Sequence, residues 1–373
     1  MRLYLDNNST TPLDPEVVEA MIQELKAPPH NPSSIHFYGQ EAKKILSKSR
    51  EEIANFMEVK PKEIIFTSGG TEGMNLLIKG ALGQRGGEVI GAAIDHASTY
   101  QTLLALDKCS LTFLPVGAEG APSPEALERA MTPRTKLIVL SAANSETGVK
   151  LDLEAMAMIA ERAGIPLLID GVALLGKEPL KLPQGVLGAV FSAHKFHGPK
   201  GVGFVVARSS LKLDPLLAGG GQERGLRSGT ENLPGIVGMT KALMLIDAER
   251  NERHLKSLRD HFEHLLRSKV PDIEINGSGP RLPNTSNLYF PGCDGESLLI
   301  ALDMRGIAAS HASACASGAL EPSRALLKMG YSYERARGSL RFSFSRFNRV
   351  EEVEKAAEII LEVIEKQRSC RAF

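Results

Sequence analysis

The stretch that decides the fold is KLIVLSAANSETGVKLDLEAMAMIAERAGIPLLID, residues 136–170. It opens on a short apolar run, KLIVLSA, and closes on another, PLLID. Between them LEAMAMIAERAG carries apolar residues at three-to-four spacing, as a helix does. A strand, a helix and a second strand in that order form a βαβ unit with parallel strands.

The same alternation holds from about residue 50 to 210. EIIFTS, EVIGAAI, LTFLPV, GAVFSA and GVGFVVA read as further buried strands, which makes seven. SREEIANFM, TEGMNLLIKGAL and SPEALERAM read as the helices between them. The expected architecture is α/β, with a largely parallel sheet covered on both faces. After GGGQERGLRSGTENLPG, one long helical stretch is expected through MTKALMLIDAERNERHLKSLRDHFEHLLRSK. Shorter strands (IEING, NTSNLYF, SLRFSFS) and a final helix, VEEVEKAAEIILEVIEKQ, follow. That order suggests a smaller α+β unit, with a boundary near residue 250.

Bulk properties narrow the function. The 373 residues carry 44 basic and 44 acidic side chains. A formal charge of zero offers no basic face for nucleic acid or an anionic membrane. No apolar run reaches the roughly 20 residues that span a bilayer, and MRLYLDNNST lacks the apolar core of a signal peptide. Cys109, Cys293, Cys315 and Cys370 have neither disulfide nor zinc spacing, so a reducing, cytoplasmic home and no metal are expected.

Several segments carry chemistry. FSAHKFHGPKGVGFVV (191–206) puts Lys195 after a strand, preceded by Ser192 and His194 and followed by a Gly-rich turn. A lysine there can form a Schiff base beside groups that hold phosphate; a surface lysine before a turn is the plain alternative. IIFTSGGTEGMNLLI (64–78) runs a strand through Gly70 and Thr71 into a helix, whose first amides attract anions. It is not a Walker loop, since no Gly-Lys-Ser/Thr follows. PLLIDG ends a strand on Asp170, where a carboxylate can pair with a pyridine nitrogen or simply cap a turn. His96 in AIDHAS also follows a strand and can stack on a flat ring. In SHASACASGALEPS, Cys315 stands among small residues rather than core residues, as an accessible thiol would, with His311 nearby. Arg341 in SLRFSFS is a candidate carboxylate clamp.

Together these segments resemble the cysteine desulfurases of the NifS/IscS-like branch, in aminotransferase class V of fold type I. The likeness runs through YLDNNSTTPLDP, NPSSIHFYGQEA, FTSGGTEGMNL, DHAS, HKFHGPKGVG, GGGQERGLRSGTEN, SACASGALEPS and SLRFSFSRF. It implies a large unit, 14–249, that holds pyridoxal 5'-phosphate on a mainly parallel seven-stranded sheet. A small unit would combine 1–13 with 250–373. It implies that Lys195 holds the cofactor, Asp170 its ring nitrogen and His96 its ring face. Gly70, Thr71, Ser192 and His194 would bind phosphate, with Thr230 reaching across a homodimer. Arg341 and Ser145 would contact the substrate. Cys315 would take sulfur from L-cysteine as a persulfide, releasing alanine. A sulfur-acceptor protein such as an iron–sulfur scaffold would be the partner.

Three departures accompany the resemblance. Ser145 stands where the family has a second asparagine in Asn-Asn-Glu-x-Gly. Ala173 stands where it has the glutamine of Asp-Ala-x-Gln, a hydrogen bond worth about 0.5–1.5 kcal/mol. Ala312 stands where the reactive loop usually has glycine. Two other readings stay open: a lyase on another amino acid such as selenocysteine, and a catalytically weakened paralogue acting as a binding partner.

Overall fold

The computed structural model describes residues 2–83, 86–311 and 322–371. A short first strand, β1 (Leu3–Tyr4), lies apart from the central sheet. That sheet holds β2 (Ile64–Thr67), β3 (Gly87–Ala92), β4 (Cys109–Leu114), β5 (Thr135–Ser141), β6 (Leu167–Asp170), β7 (Val186–Ser192) and β8 (Gly203–Ala207). Its order is β2-β8-β7-β6-β5-β3-β4. The pairs from β4 across to β7 are parallel, and only β8 runs against its neighbours β7 and β2.

All seven expected strands are present, because a strand covered on both faces must be apolar throughout. In β5, Leu137 to Leu140 are each at most 1% exposed. The fourth strand begins two residues earlier than LTFLPV suggests and stops at Leu114, before Pro115, which has no N–H for the ladder. The helix Leu153–Ala163 shows how the crossovers are made. Asp152 caps it by accepting from the Ala155 N–H, and Gly164 ends it at φ +66°. Met156, Ala157, Ile159 and Ala160 face the sheet. Each large apolar side chain so buried contributes roughly 1.5–3 kcal/mol.

The single long helix expected after residue 238 is in fact two, Leu233–Met244 and Ala248–Lys269. Asp247 interrupts it by taking a non-helical conformation and accepting from the Arg250 N–H as an N-cap. Beyond it β9 (Glu274–Ile275), β10 (Thr285–Tyr289) and β12 (Ser339–Ser343) form an antiparallel sheet. β11 (Ile307–Ala308) pairs in parallel with β1, Leu3 against Ile307. A separate apolar core gathers Leu3 and Leu5 with residues from Leu255 to Ile364.

The chain therefore starts in the C-terminal core and must cross to the central sheet. Residues 6–10 make that crossing. Asn7 Nδ2 donates to the Ser343 carbonyl at 2.9 Å, and Asn8 Nδ2 donates to Thr285 Oγ1 at 2.8 Å. Ser9 then reaches the C-terminal ends of the parallel strands, where ligands of such sheets bind.

Candidate active site

A cavity of about 250 Å³ lies at those strand ends. The loop after β3 contributes His96, β5 and the turn after it contribute Ser141 and Ser145, and β6 contributes Asp170. β7 leads into Ser192, His194 and Lys195, while Arg341 enters from β12. Gly70 and Thr71 complete the wall from the first turn of the helix Gly70–Leu82. All of these except Ser141 are residues singled out in the sequence, and the fold brings them together.

Lys195 closes a short 3₁₀ turn, Ala193–Lys195. Its Nζ donates to the carbonyls of Asn8 at 2.5 Å and Ser9 at 2.7 Å. Its own carbonyl accepts from Lys177 Nζ at 2.5 Å. Asp170 is 6% exposed, and its Oδ1 accepts from the Val172 N–H at 3.0 Å. Burial pushes its carboxyl up, and the charges of His96 and Lys195 offset part of that rise.

His96 caps the helix Ala97–Leu104: its Nδ1 accepts from the Ser98 N–H at 3.1 Å. That assigns the ring proton of the neutral imidazole to Nε2. Burial lowers its pKa. His194 is held down at about 4, by burial first and then by Lys195, Lys200 and Lys177. Its Nδ1 lies 3.2 Å from Thr10 Oγ1. Near neutral pH it is therefore an uncharged partner with one ring N–H.

Beside the cavity lies a more open hollow of about 370 Å³ that shares Ser9, Gly70, Thr71, Ser192 and His194 with it. The backbone there is packed closely. A Cβ at Gly203 would sit 2.4 Å from the Phe191 carbonyl oxygen and 2.9 Å from Gly69 Cα. A Cβ at Gly70 would come 3.0 Å from a Val172 methyl. Glycine at 203 thus lets the helix start approach β7, and the unpaired first amides of that helix open on the hollow.

Arg341 is 3% exposed and already engaged. Nη1 donates to the Ser145 carbonyl at 3.0 Å and Nη2 to Asp6 Oδ1 at 2.8 Å, while Nε is buried without a partner. All five residues of β12 are buried. Asn287, opposite Arg341 in the register, donates to the Glu146 carbonyl, so both faces are covered.

Two expected residues lie elsewhere. Thr230 is exposed and lines a smaller hollow of about 70 Å³ with Ser68, Gly201 and Arg227. His311 is 6% exposed, and its Nε2 is 2.8 Å from the Arg337 carbonyl, away from the cavity lining. Cys315 and Ala312 lie outside the described residues. Cys293 is buried, and burial pushes the Cys109 thiol up, so neither acts as a ready nucleophile.

Sequence reasoning missed Asn8, Lys177 and Asp95. Asn8 meets Lys195 through its backbone carbonyl, a contact that leaves no signature of residue type. Lys177, in LLGKEP, looks like a surface lysine. Asp95 precedes His96 and is 3% exposed, with Oδ1 accepting from the Ser141 N–H at 3.3 Å.

Comparison with known proteins agrees with this geometry. The family model described as aminotransferase class-V matches residues 3–356. A cysteine desulfurase from Trichormus azollae is 39% identical over 379 residues, covering 100% of this chain and 95% of its own. A solved NifS-like protein superposes with a TM-score of 0.91 at 34% identity, over 98% of this chain and 100% of its own. SspA, solved in complex with cysteine, gives a TM-score of 0.83 at 29% identity, over 93% of this chain and 100% of its own. With a sheet, a strand-end lysine and a full-length match all agreeing, the chain belongs to the aminotransferase class-V family, in its cysteine desulfurase branch.

Proposed function

We propose that the protein is a cysteine desulfurase that uses pyridoxal 5'-phosphate to convert L-cysteine to L-alanine and passes the sulfur to Cys315 as a persulfide. One observation carries this reading. Lys195, Asp170 and His96 line one cavity that opens onto a glycine-lined helix start with Ser192 and His194 beside it.

The residues present suit that cofactor. A carboxyl as buried as Asp170 is costly when charged unless a cation faces it, which a protonated pyridine nitrogen would supply. The helix start, Ser192 and His194 offer donors for a phosphate. Lys195 would hold the aldehyde carbon, and His96 would lie on the ring face. When bound, the cofactor supplies an electron sink for the carbanion beside Cα.

The chain's own groups do the rest. Arg341 receives the substrate carboxylate with the donors that Asp6 and Ser145 leave open. The Lys195 amine would move the Cα proton. The Cys315 thiolate attacks the substrate sulfur, so that an S–S bond forms as the C–S bond breaks. The electrons of that bond stay with carbon, which a proton then completes as the methyl of alanine.

Thr230, exposed and off the cavity lining, suits a homodimer in which each copy completes the other's phosphate site. The separate core of Leu3, Leu5 and residues 255–364 supports a division into 14–249 and a unit of 1–13 with 250–373. A sulfur-acceptor protein such as an iron–sulfur scaffold is the partner this product calls for. Action in the cytoplasm is part of this proposal; among the described residues no helix is long and apolar enough to cross a membrane.

The test is alanine release from L-cysteine by cofactor-loaded protein, beside a Cys315→Ser control. Alanine that vanishes in the control is the expected result. No alanine from a protein that shows the visible band of a lysine-bound cofactor would overturn the substrate.

A further inference from the structure

Lys177 has no part in the chemistry above, yet it lines the same cavity and is only 3% exposed. Its Nζ makes one hydrogen bond, to the carbonyl oxygen of Lys195 at 2.5 Å, and it forms no ion pair among the described residues. The groups around it are cationic or imidazole: Lys195, Arg346, His194 and His197. Arg346 directs its own charge at Asp14, 2.5 Å away. A buried ammonium with no counter-charge is among the most costly groups a protein can keep. Burial, reinforced by Lys195 and Arg346, pushes this amine down to about 7. A methionine would fill the same space without that cost, so filling space does not account for a lysine.

The placement of Lys177 is built with care. Its N–H donates to the Leu174 carbonyl at 3.1 Å, and the preceding Gly176 sits at φ +82°. The Gly176 carbonyl accepts from Asn251 Nδ2 at 3.0 Å. A Cβ on Gly176 would come 2.9 Å from Phe196 Cβ, so this turn packs directly on the residue after Lys195. Lys195 is thus gripped at two points. The carbonyls of Asn8 and Ser9 hold its amine, and Lys177 holds its peptide.

We propose that Lys177 is a positioning residue for Lys195, holding its peptide carbonyl so that the reactive side chain leaves the backbone at one place and angle. The inference rests on Lys195 being the cofactor lysine. As the amine of Lys177 is displaced, the turn 193–195 gains freedom and the Lys195 amine loses its fixed approach. Misplacement of a reacting group by about 1 Å can cost on the order of a hundredfold in rate.

The experiment compares wild type, Lys177→Met and Lys177→Gln, each loaded with pyridoxal 5'-phosphate. Three quantities are read: melting temperature, circular dichroism in the cofactor's visible band per bound cofactor, and kcat against KM. A wild type without a visible band would sink the cofactor assignment itself, a failure distinct from any difference between wild type and variants. The Met variant should melt at or above the wild-type temperature. It should lose visible circular dichroism, which requires a ring held in one orientation, and kcat should fall about ten- to a hundredfold with KM little changed. A Met variant with wild-type dichroism and kcat would overturn the proposal and leave Lys177 as a filler. If the Met variant does not fold, Lys177→Gln decides by the same readings. Its amide is one atom short of the carbonyl and leaves it unheld.

Discussion

Replacing Asp95 with asparagine isolates what it costs to keep a carboxyl behind the cavity. Asp95 is 3% exposed; one oxygen accepts from the Ser141 N–H, and Oδ2 is buried without a partner. Burial, with added repulsion from Asp170, pushes the carboxyl from an ordinary 3.8 up to about 7. The folded state therefore binds the proton more tightly than the unfolded chain does. Stability contributed by this group is highest below about pH 4 and falls as pH rises to about 7. Roughly three pH units at about 1.4 kcal/mol each amount to a penalty of about 4 kcal/mol at pH 8.

Asparagine keeps the shape and the acceptor for Ser141 but carries no charge. It leaves an amide N–H group unpaired, which returns about 1–3 kcal/mol of the gain. The variant should thus be more stable than wild type at pH 8 by about 1–3 kcal/mol. The pH slope is the sharper test. Between pH 6 and pH 8 the folded wild type goes from mostly protonated to mostly ionised at this site. Wild type should lose about 1 kcal/mol relative to the variant over that interval. Urea unfolding of both proteins at several pH values measures it. Parallel stability curves from pH 6 to 8 would refute the reasoning, since they would mean that Asp95 does not titrate there.

Three other substitutions probe the site from different directions. Gly203→Ala drives a methyl to 2.4 Å from the Phe191 carbonyl oxygen and pushes Gly69 away. It should cost about 1–3 kcal/mol of stability and weaken cofactor binding in a spectrophotometric titration. Glu223→Ala removes the carboxylate that Arg50 grips at 2.5 and 2.8 Å and that accepts from the Phe66 N–H. Loss of this buried partner should cost about 3–5 kcal/mol, read as a lower urea midpoint. Arg341→Lys replaces a planar fork by a point charge. It should raise KM for L-cysteine about tenfold or more in steady-state kinetics, with a smaller change in kcat.

Whether a feature could be read from the sequence depended on how local its cause is. The seven strands were legible because double-sided burial makes each of them apolar along its whole length. The break at Asp247 was not, because apolar residues recur at helical spacing on both sides of it and only the cap marks the end. Lys195, Asp170 and His96 stood out because chemistry-bearing side chains at strand ends are rare against an apolar background. Asn8 and Lys177 did not, since each acts through a backbone carbonyl on one side of the contact. The Asn8 carbonyl meets Lys195 across 187 positions of chain, and no residue type is required to supply a carbonyl. Thr230 was legible as a motif member, while its exposed place off the cavity follows from the route of the loop around it.

That distinction between side-chain and backbone contributions also separates the departures that mark this chain. Ser145 serves Arg341 through its carbonyl, which accepts from Nη1 at 3.0 Å and from Asn8 Nδ2 at 3.0 Å. Exchanging its side chain leaves both bonds in place, so the grip on Arg341 survives the change from asparagine. Ala173 is different, because it lines the cavity with a methyl and no donor. A hydrogen bond that a glutamine there would give has no backbone substitute at that position. On the proposed function, the side-chain exchange at Ser145 leaves the anchoring of Arg341 untouched, while residue 173 is where the cavity wall lacks a donor. Restoring a donor by Ala173→Gln should alter the bound cofactor's spectrum, whereas Ser145→Asn should leave it where it is.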